Sequence, residues 1–301
     1  MRNIATFLFC CILCVGCSRI ASPREVTDFN DGWRFHLGDV AGAYEPGYDD
    51  DSWRELNLPH DWAVEGDFSI DNPAGTGGGA LPGGIGWYRK TFVPLSADSV
   101  KVWRIEFDGV YMNSEVFVNG TSVGLRPYGY ISFGYDIQHL LDWDKENVIA
   151  VRVDNSEQPN SRWYSGCGIY RDVRMVKTGK VRIAPNGVYA IPRLRYTLTD
   201  DLDAGFFFVQ TDVIGESDGI SSVTVRHIVF DPKGKEVGMK EEHMPIRDVN
   251  DAELMVEVQN PHLWDVDDPY LYTLITEITD KEGNPVSDVP VTVTVGDKTY
   301  N

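Results

Sequence analysis

Short runs in which every second residue is apolar, separated by turn residues, recur along this chain. In the run 149–154 the apolar residues are Ile149, Val151 and Val153, and similar spacing occurs in 223–230 and 289–295. A period of two places alternate side chains on one face of an extended strand, whereas a helix needs a period of about 3.6 residues. The sequence therefore predicts an all-β fold with many short strands.

Turn signals separate these runs. Asn119-Gly120 follows Val116-Phe117-Val118, and Asn-Gly between β-prone residues favours a hairpin because both positions tolerate positive φ. Asp231–Gly234 and Asp280–Pro285 indicate two further turns. In the run 100–107 the alternation slips at Trp103, which suggests a β-bulge.

The length indicates two domains, since 301 residues exceed the roughly 100 to 200 that one domain usually takes. The strand pattern pauses at Lys177–Lys180. We expect a jelly-roll β-sandwich over residues 24–180 and an immunoglobulin-like sandwich over residues 181–296, without the cysteine pair of that fold. No long linker separates them, so we expect close packing between the domains.

Charge limits the partners of the chain. It carries 27 Lys and Arg against 46 Asp and Glu, a formal net charge of −19. A field of this sign repels phosphate backbones and anionic lipid surfaces. We therefore expect no nucleic acid partner and no membrane contact except through a lipid anchor.

The N-terminus has the pattern of an export signal. Arg2 precedes the apolar run 4–16, which is too short to span a bilayer. The ending Leu13–Cys17 resembles a bacterial lipobox with Cys14 where Leu is usual, so residues 1–17 are interpreted as a signal peptide and Cys17 as the lipidation site. Simple cleavage with release and an uncleaved apolar tail are the alternatives. Four of the five cysteines lie here, which excludes a disulfide framework.

Signals for cofactors or metals are weak. The glycine stretch Gly75–Gly86 matches a dinucleotide fingerprint loosely, but it lacks the preceding strand and the following helix. The six histidines show no pair at helical ligand spacing. Acid clusters at Asp49–Asp51 and Asp265–Asp268 are interpreted as solvated loops, with calcium as the alternative.

Cys167, between two glycines, is interpreted as a small buried thiol. We expect no cofactor.

Two segments combine aromatic and polar side chains in predicted loops. The first is Leu58–Trp62, with Asp61 and Trp62, and the second is Asn160–Gly166, with Arg162 and Trp163. Sugars are bound by charged groups that hydrogen-bond to hydroxyls and by aromatic faces that cover the apolar side of the ring. These four residues are the candidate substrate-binding residues. The alternative is that both tryptophans fill the core.

At these segments the chain resembles the N-terminal part of a glycoside hydrolase family 2 β-galactosidase, and the resemblance covers nearly all of residues 25–296. The motifs that carry it are Phe29–Phe35, Asp50–Trp53, Leu58–Trp62, Gly86–Phe92, Phe107–Val110, Val116–Gly120, Ser161–Arg171, Asn260–Trp264 and Asp268–Leu274.

The resemblance implies a sugar-binding jelly roll and an immunoglobulin-like domain, both attached in the family to a (β/α)8 barrel with two catalytic Glu residues. A barrel needs about 250 residues, so we expect none in this chain and no catalytic residue of its own. The position of Asp61 binds galactosyl hydroxyls in the family, and Arg162 and Trp163 lie on a loop near the same pocket.

Several alternatives stay open. We expect the non-catalytic part of a β-galactosidase-like enzyme, with a β-galactoside-type carbohydrate as ligand and a catalytic barrel in a longer or adjacent gene product. The alternative is a freestanding carbohydrate-binding or scaffold lipoprotein. β-Glucuronidase and β-mannosidase also stay open, although Leu58–Trp62 favours galactosidase.

The lipobox interpretation predicts that Cys17 carries the membrane anchor. Labelled palmitate supplied to cells that express the wild-type protein should enter it, and the Cys17→Ser variant should stay unlabelled, because only the thiol at this position can accept the lipid. Equal labelling of both proteins would contradict the prediction.

Overall fold

The computed structural model describes residues 24–159, 163–198, 202–215, 220–247 and 249–293. This part of the chain is mainly antiparallel β structure, so the predicted all-β fold class is confirmed. Its helical segments are three short 3-10 turns: Thr76–Gly78, Ser96–Asp98 and Gln138–Leu140. None of them has the length or the apolar character needed to cross a bilayer. The described residues contain no alternation of strands and helices of the (β/α)8 type.

The first domain is a jelly-roll sandwich. Its described strands are β1 (Glu25–Asp28), β2 (Trp33–Leu37), β3 (Arg54–Leu56), β4 (Gly84–Phe92), β5 (Val102–Phe107), β6 (Ser114–Val118), β7 (Thr121–Arg126), β8 (Phe133–Asp136), β9 (Asn147–Asn155) and β10 (Val173–Thr178). They form one sheet in the order β1-β10-β5-β8 and another in the order β3-β2-β4-β9-β6-β7. The core includes Trp33, Tyr88, Phe107, Ile149 and Val151.

The second domain is an immunoglobulin-like sandwich. Its described strands are β11 (Val181–Tyr196), β12 (Leu202–Gly215), β13 (Ser222–Phe230), β14 (Glu236–Pro245), β15 (Val249–Gln259), β16 (Tyr272–Thr279) and β17 (Pro285–Val293). The sheets have the orders β11-β12-β15 and β14-β13-β16-β17. Val225, Val229 and His227 alternate along β13 and are fully buried, which is why this run shows a period of two.

The turn signals predict the hairpins correctly. Asn119 and Gly120 join β6 to β7 with φ values of 48° and 82°, the positive angles that a two-residue hairpin loop requires. Asp231–Gly234 joins β13 to β14, and Gly234 has a φ of 77°. The carboxylate of Asp280 accepts hydrogen bonds from the backbone N–H groups of Glu282 and Asn284 in the turn between β16 and β17.

The bulge suggested at Trp103 is wrong. Strand β5 begins at Val102 and pairs with β10 in unbroken register, and Val100 lies outside it with 69% of its surface exposed. Trp103 faces the core, whereas Val102 faces the opposite side and lines a cavity with Ile183 of the second domain. Burial on both faces of β5 therefore produces two consecutive apolar residues without any bulge.

An ion pair connects the two domains. The buried guanidinium of Arg182, on β11, donates to Asp136 Oδ2 on β8 at 3.2 Å. The other oxygen of this carboxylate accepts a hydrogen bond from Arg104 at 2.9 Å. Asp136 thus bridges arginines of both domains, which agrees with the close packing expected from the short connection.

A second ion pair fixes a long loop of the first domain. Arg89 on β4 is 2% exposed, and its Nε donates to Asp50 Oδ2 at 2.7 Å. Its Nη1 donates to the carbonyl oxygens of Ala43 and Glu45 at 2.5 Å and 3.1 Å. The interpretation of this acid cluster as a solvated loop is therefore wrong for Asp50, whose side chain compensates a buried charge.

The Asp50–Arg89 pair predicts a large stability difference between neighbouring acids. Asp50→Asn should lower the free energy of unfolding by about 3 kcal/mol or more, because it leaves the Arg89 charge buried without its partner. Asp51→Asn is the matched control, because Asp50 and Asp51 both contact Arg34. The side chain of Asp51 is 86% exposed, so the loss of its charge should lower the free energy of unfolding by less than about 1 kcal/mol. Urea unfolding followed by tryptophan fluorescence measures both, and equal values would contradict the prediction.

Candidate functional site

Three backbone segments meet at one end of the jelly roll. The N–H groups of His60 and Trp62 donate to the carbonyl oxygens of Ile169 and Cys167, at 2.8 Å and 3.1 Å. On the other side, Tyr111 and Gly168 exchange backbone hydrogen bonds of 2.9 Å in both directions. The two segments that the sequence singled out are therefore neighbours in space, although about a hundred residues separate them.

Asp61 lies at the centre of this arrangement and is partly exposed. Its Oδ1 accepts hydrogen bonds from the backbone N–H groups of Ala63 at 3.0 Å and Cys167 at 2.9 Å. Its Oδ2 accepts a hydrogen bond from the phenol of Tyr164. The carboxylate is thus held in one orientation by groups from both segments. Burial, followed by the nearby Asp61 carboxylate, raises the pKa of Tyr164, so this phenol stays a proton donor.

Trp62 has a different position from that of an exposed sugar platform. Only 3% of its surface is exposed, its ring stacks on Phe35 with centroids 5.8 Å apart, and its indole N–H donates to the Gly83 carbonyl at 3.1 Å. A Cβ at Gly86 would lie 2.8 Å from this ring. In this structure the Trp62 ring therefore lies in the core and offers no free face to a sugar.

His60, which precedes Asp61 in the chain, joins Arg54 and Glu65 in a polar network. The ring of His60 contacts the Tyr88 hydroxyl through Nδ1 and an Arg54 nitrogen through Nε2, both at 2.7 Å. Burial lowers the pKa of His60. Arg54 also pairs with Glu65 at 2.9 Å, and this hydrogen bond lowers the pKa of the Glu65 carboxyl group.

Trp163 is the exposed aromatic residue of the site, with 64% of its surface accessible. A Cβ at Gly79 would lie 3.9 Å from the Trp163 ring and 3.6 Å from Tyr164. Gly79, in the glycine stretch, therefore packs beside these aromatic residues, directly after the 3-10 turn Thr76–Gly78. Arg162 and Cys17 lie outside the described residues, so their predicted roles stay predictions.

Tyr164 belongs to this site although it was not among the predicted substrate-binding residues. It lies in the same aromatic segment as the predicted residues Arg162 and Trp163. A phenol is both aromatic and a hydrogen-bond donor. That combination next to a predicted acidic site was the available signal.

Cys167 lies behind Asp61, as a small buried thiol. It is 2% exposed, and its sulfur lies 3.0 Å from the side-chain nitrogen of Asn155. Burial raises the pKa of the thiol to about 12. Cys167 therefore packs the site and is not activated as a nucleophile.

The acid clusters show no metal site. Asp268 contacts the His262 ring at 2.6 Å, and Asp50 pairs with arginine. Across the residues that the structure describes, no group of three or more His, Cys, Asp or Glu side chains is arranged to hold a metal ion.

The fold is a jelly roll joined to an immunoglobulin-like sandwich, and comparisons with known proteins agree with it. The sequence profile "Glycosyl hydrolases family 2, sugar binding domain" matches residues 80–179, and the profile "Glycosyl hydrolases family 2" matches residues 190–296. The chain belongs to glycosyl hydrolase family 2, as its motifs predicted.

Its relatives are longer than the chain itself. It is 54% identical over 273 residues to beta-galactosidase BoGH2A of Bacteroides ovatus, covering 88% of this chain and 31% of that protein. It is 26% identical over 286 residues to a beta-glucuronidase of Formosa agariphila, covering 89% and 29%. A family 2 member from Bacteroides cellulosilyticus has a similar structure, with a TM-score of 0.83 and 30% identity over 90% of this chain and 35% of that chain. The chain spans about a third of these relatives and corresponds to a non-catalytic part of a glycoside hydrolase.

The buried thiol predicts slow alkylation. In the folded protein near pH 8, Cys167 should react with iodoacetamide about a thousandfold more slowly than in urea, because a pKa of about 12 in place of 9.0 leaves about a thousandth of the thiolate. Mass spectrometry of the peptide that contains Cys167 measures both rates. Similar rates would contradict the burial of this thiol.

Proposed function

We propose that this chain forms one wall of the galactoside-binding site of a family 2 β-galactosidase, in which Asp61 accepts hydrogen bonds from sugar hydroxyls. The observation that carries the proposal is the fixed orientation of this carboxylate. An ionised carboxylate has about four acceptor positions, and Ala63, Cys167 and Tyr164 use three of them. The remaining position is available to a hydroxyl donor from the partly exposed side.

A neutral galactoside suits this site better than a uronic acid. The described groups that hydrogen-bond to the Asp61 carboxylate are backbone amides and the phenol of Tyr164, all uncharged. A glucuronide would bring its own carboxylate near Asp61, and like charges repel strongly at short range. The higher identity to a β-galactosidase than to a β-glucuronidase supports the same choice.

In this proposal the chain is the N-terminal part of the enzyme, and the chemistry belongs to a catalytic barrel in a longer or adjacent gene product. Retaining hydrolysis needs two carboxylates about 5 Å apart, one of them an acid with a raised pKa. Glu65, the acid nearest to Asp61 along the chain, has a lowered pKa because Arg54 binds it. It therefore suits a structural ion pair and not proton donation.

We also propose that the protein is exported and anchored to a bacterial membrane through lipid on Cys17. The support is the sequence pattern of residues 1–17, with its early positive charge, short apolar run and terminal Gly16-Cys17. Export fits an enzyme that meets extracellular glycans.

The proposed role of Asp61 predicts a loss of activity when its charge is removed. Residues 24–296 would replace the homologous segment of beta-galactosidase BoGH2A. In that chimera, Asp61→Ala should lower kcat/KM for an aryl β-galactoside by roughly 10- to 150-fold, the effect of losing a hydrogen bond to a charged group. Asp61→Asn should also lower kcat/KM, although its side-chain oxygen Oδ1 keeps the contacts with the backbone.

Two controls separate binding from folding. Asp71→Ala removes an exposed carboxylate on the same loop and should leave kcat/KM unchanged. Melting temperatures should fall for Asp61→Ala, which loses the contacts between the segments, and much less for Asp61→Asn. A chimera with Asp61→Asn and unchanged kcat/KM would remove Asp61 from the proposed site.

A further inference from the structure

Two exposed tyrosines lie beside the site, in the loop between β7 and β8. Tyr128 and Tyr130 are 61% and 55% exposed, and their rings contact each other edge to face with centroids 5.7 Å apart. Aromatic side chains of this size usually contribute to a core or an interface. Two adjacent exposed rings therefore indicate a contact surface, here called the tyrosine shelf.

The tyrosine shelf is continuous with the site around Asp61. The Tyr130 ring packs edge to face on Tyr111, with centroids 5.1 Å apart. Tyr111 in turn pairs its backbone with Gly168, and the preceding residue, Cys167, donates its backbone N–H to Asp61 Oδ1. The path from Asp61 to the shelf thus runs through directly contacting residues of the matched sugar-binding domain.

The backbone of the shelf is held in place. A Cβ at Gly129 would clash with the Tyr111 ring, so this position requires glycine for the close approach. The Tyr170 hydroxyl donates to the Gly129 carbonyl at 2.8 Å. Both fixed contacts lie between the two exposed tyrosines, which keeps their rings on the surface at little entropic cost on binding.

We propose that Tyr128 and Tyr130 form a second sugar subsite, which binds the sugar residue next to the one held by Asp61 in a neutral oligosaccharide. An aromatic face covers the apolar C–H side of a sugar ring, and the phenols add hydrogen bonds to its hydroxyls. The inference rests on the proposed sugar site and extends it, because it makes an oligosaccharide the preferred ligand over a single galactose.

The test compares two probes on the full chain. Saturation-transfer NMR titrations would use methyl β-galactoside and β-1,4-galactotetraose. The tetraose should bind roughly tenfold more tightly to the wild type, as expected for stacking on two rings. This preference should disappear in the double variant Tyr128→Ser with Tyr130→Ser and persist with Phe at both positions, while methyl galactoside binding stays the same in all three proteins.

The controls distinguish failure of the shelf from failure of the site. Tyr189→Ser removes a tyrosine of the second domain that is 62% exposed and should change neither affinity. Loss of methyl galactoside binding in Asp61→Asn supports the site itself. Equal affinity of the wild type for both probes, or an unchanged preference in the double Ser variant, would contradict the tyrosine shelf as a sugar subsite. The exposed rings would then be interpreted as a protein contact surface.

Discussion

The carboxylate of Asp61 holds together two segments of the chain whose residues are 106 positions apart. The backbone hydrogen bonds of His60 and Trp62 to Ile169 and Cys167 join the same segments beside it. Two glycines make this close approach possible: Gly86 leaves room for the Trp62 ring, and Gly168 can approach Tyr88 only because it has no side chain. A loop that makes this many simultaneous contacts has one stable arrangement, which is the rigidity that the proposed sugar site needs.

Local turn chemistry explains which parts of the fold were predictable. Asn119-Gly120 specifies its hairpin within two residues, because the positive φ values are a property of those residues alone. The error at Trp103 has the opposite origin. Val102 is apolar because it faces the second domain, and no pattern within a single strand reveals what packs on its outer face.

The same contrast applies to the site. Asp61 could be proposed from the sequence through the motif that surrounds it, but Trp62 could not share its role. His60 and Trp62 are buried while Asp61 between them is partly exposed, and the turn that begins at Trp62 buries Ala63 as well. The Trp62 ring has room in the core because Gly86 on β4 has no side chain beside it. Gly86 is distant in the sequence, so the motif around Asp61 does not by itself reveal where the neighbouring ring lies.

A wall without catalytic groups can still contribute to catalysis. Interactions with parts of the substrate away from the reacting bond raise the rate only when they strengthen in the transition state or fix the sugar in the reactive position. In the proposed site Asp61 would meet the second condition, because its orientation is set by Ala63, Cys167 and Tyr164 and needs no reorganisation on binding. If its hydrogen bond were equally strong in the ground state, the effect of its removal would fall on KM alone. A decrease in kcat would instead assign to this chain a part of the positioning that hydrolysis needs.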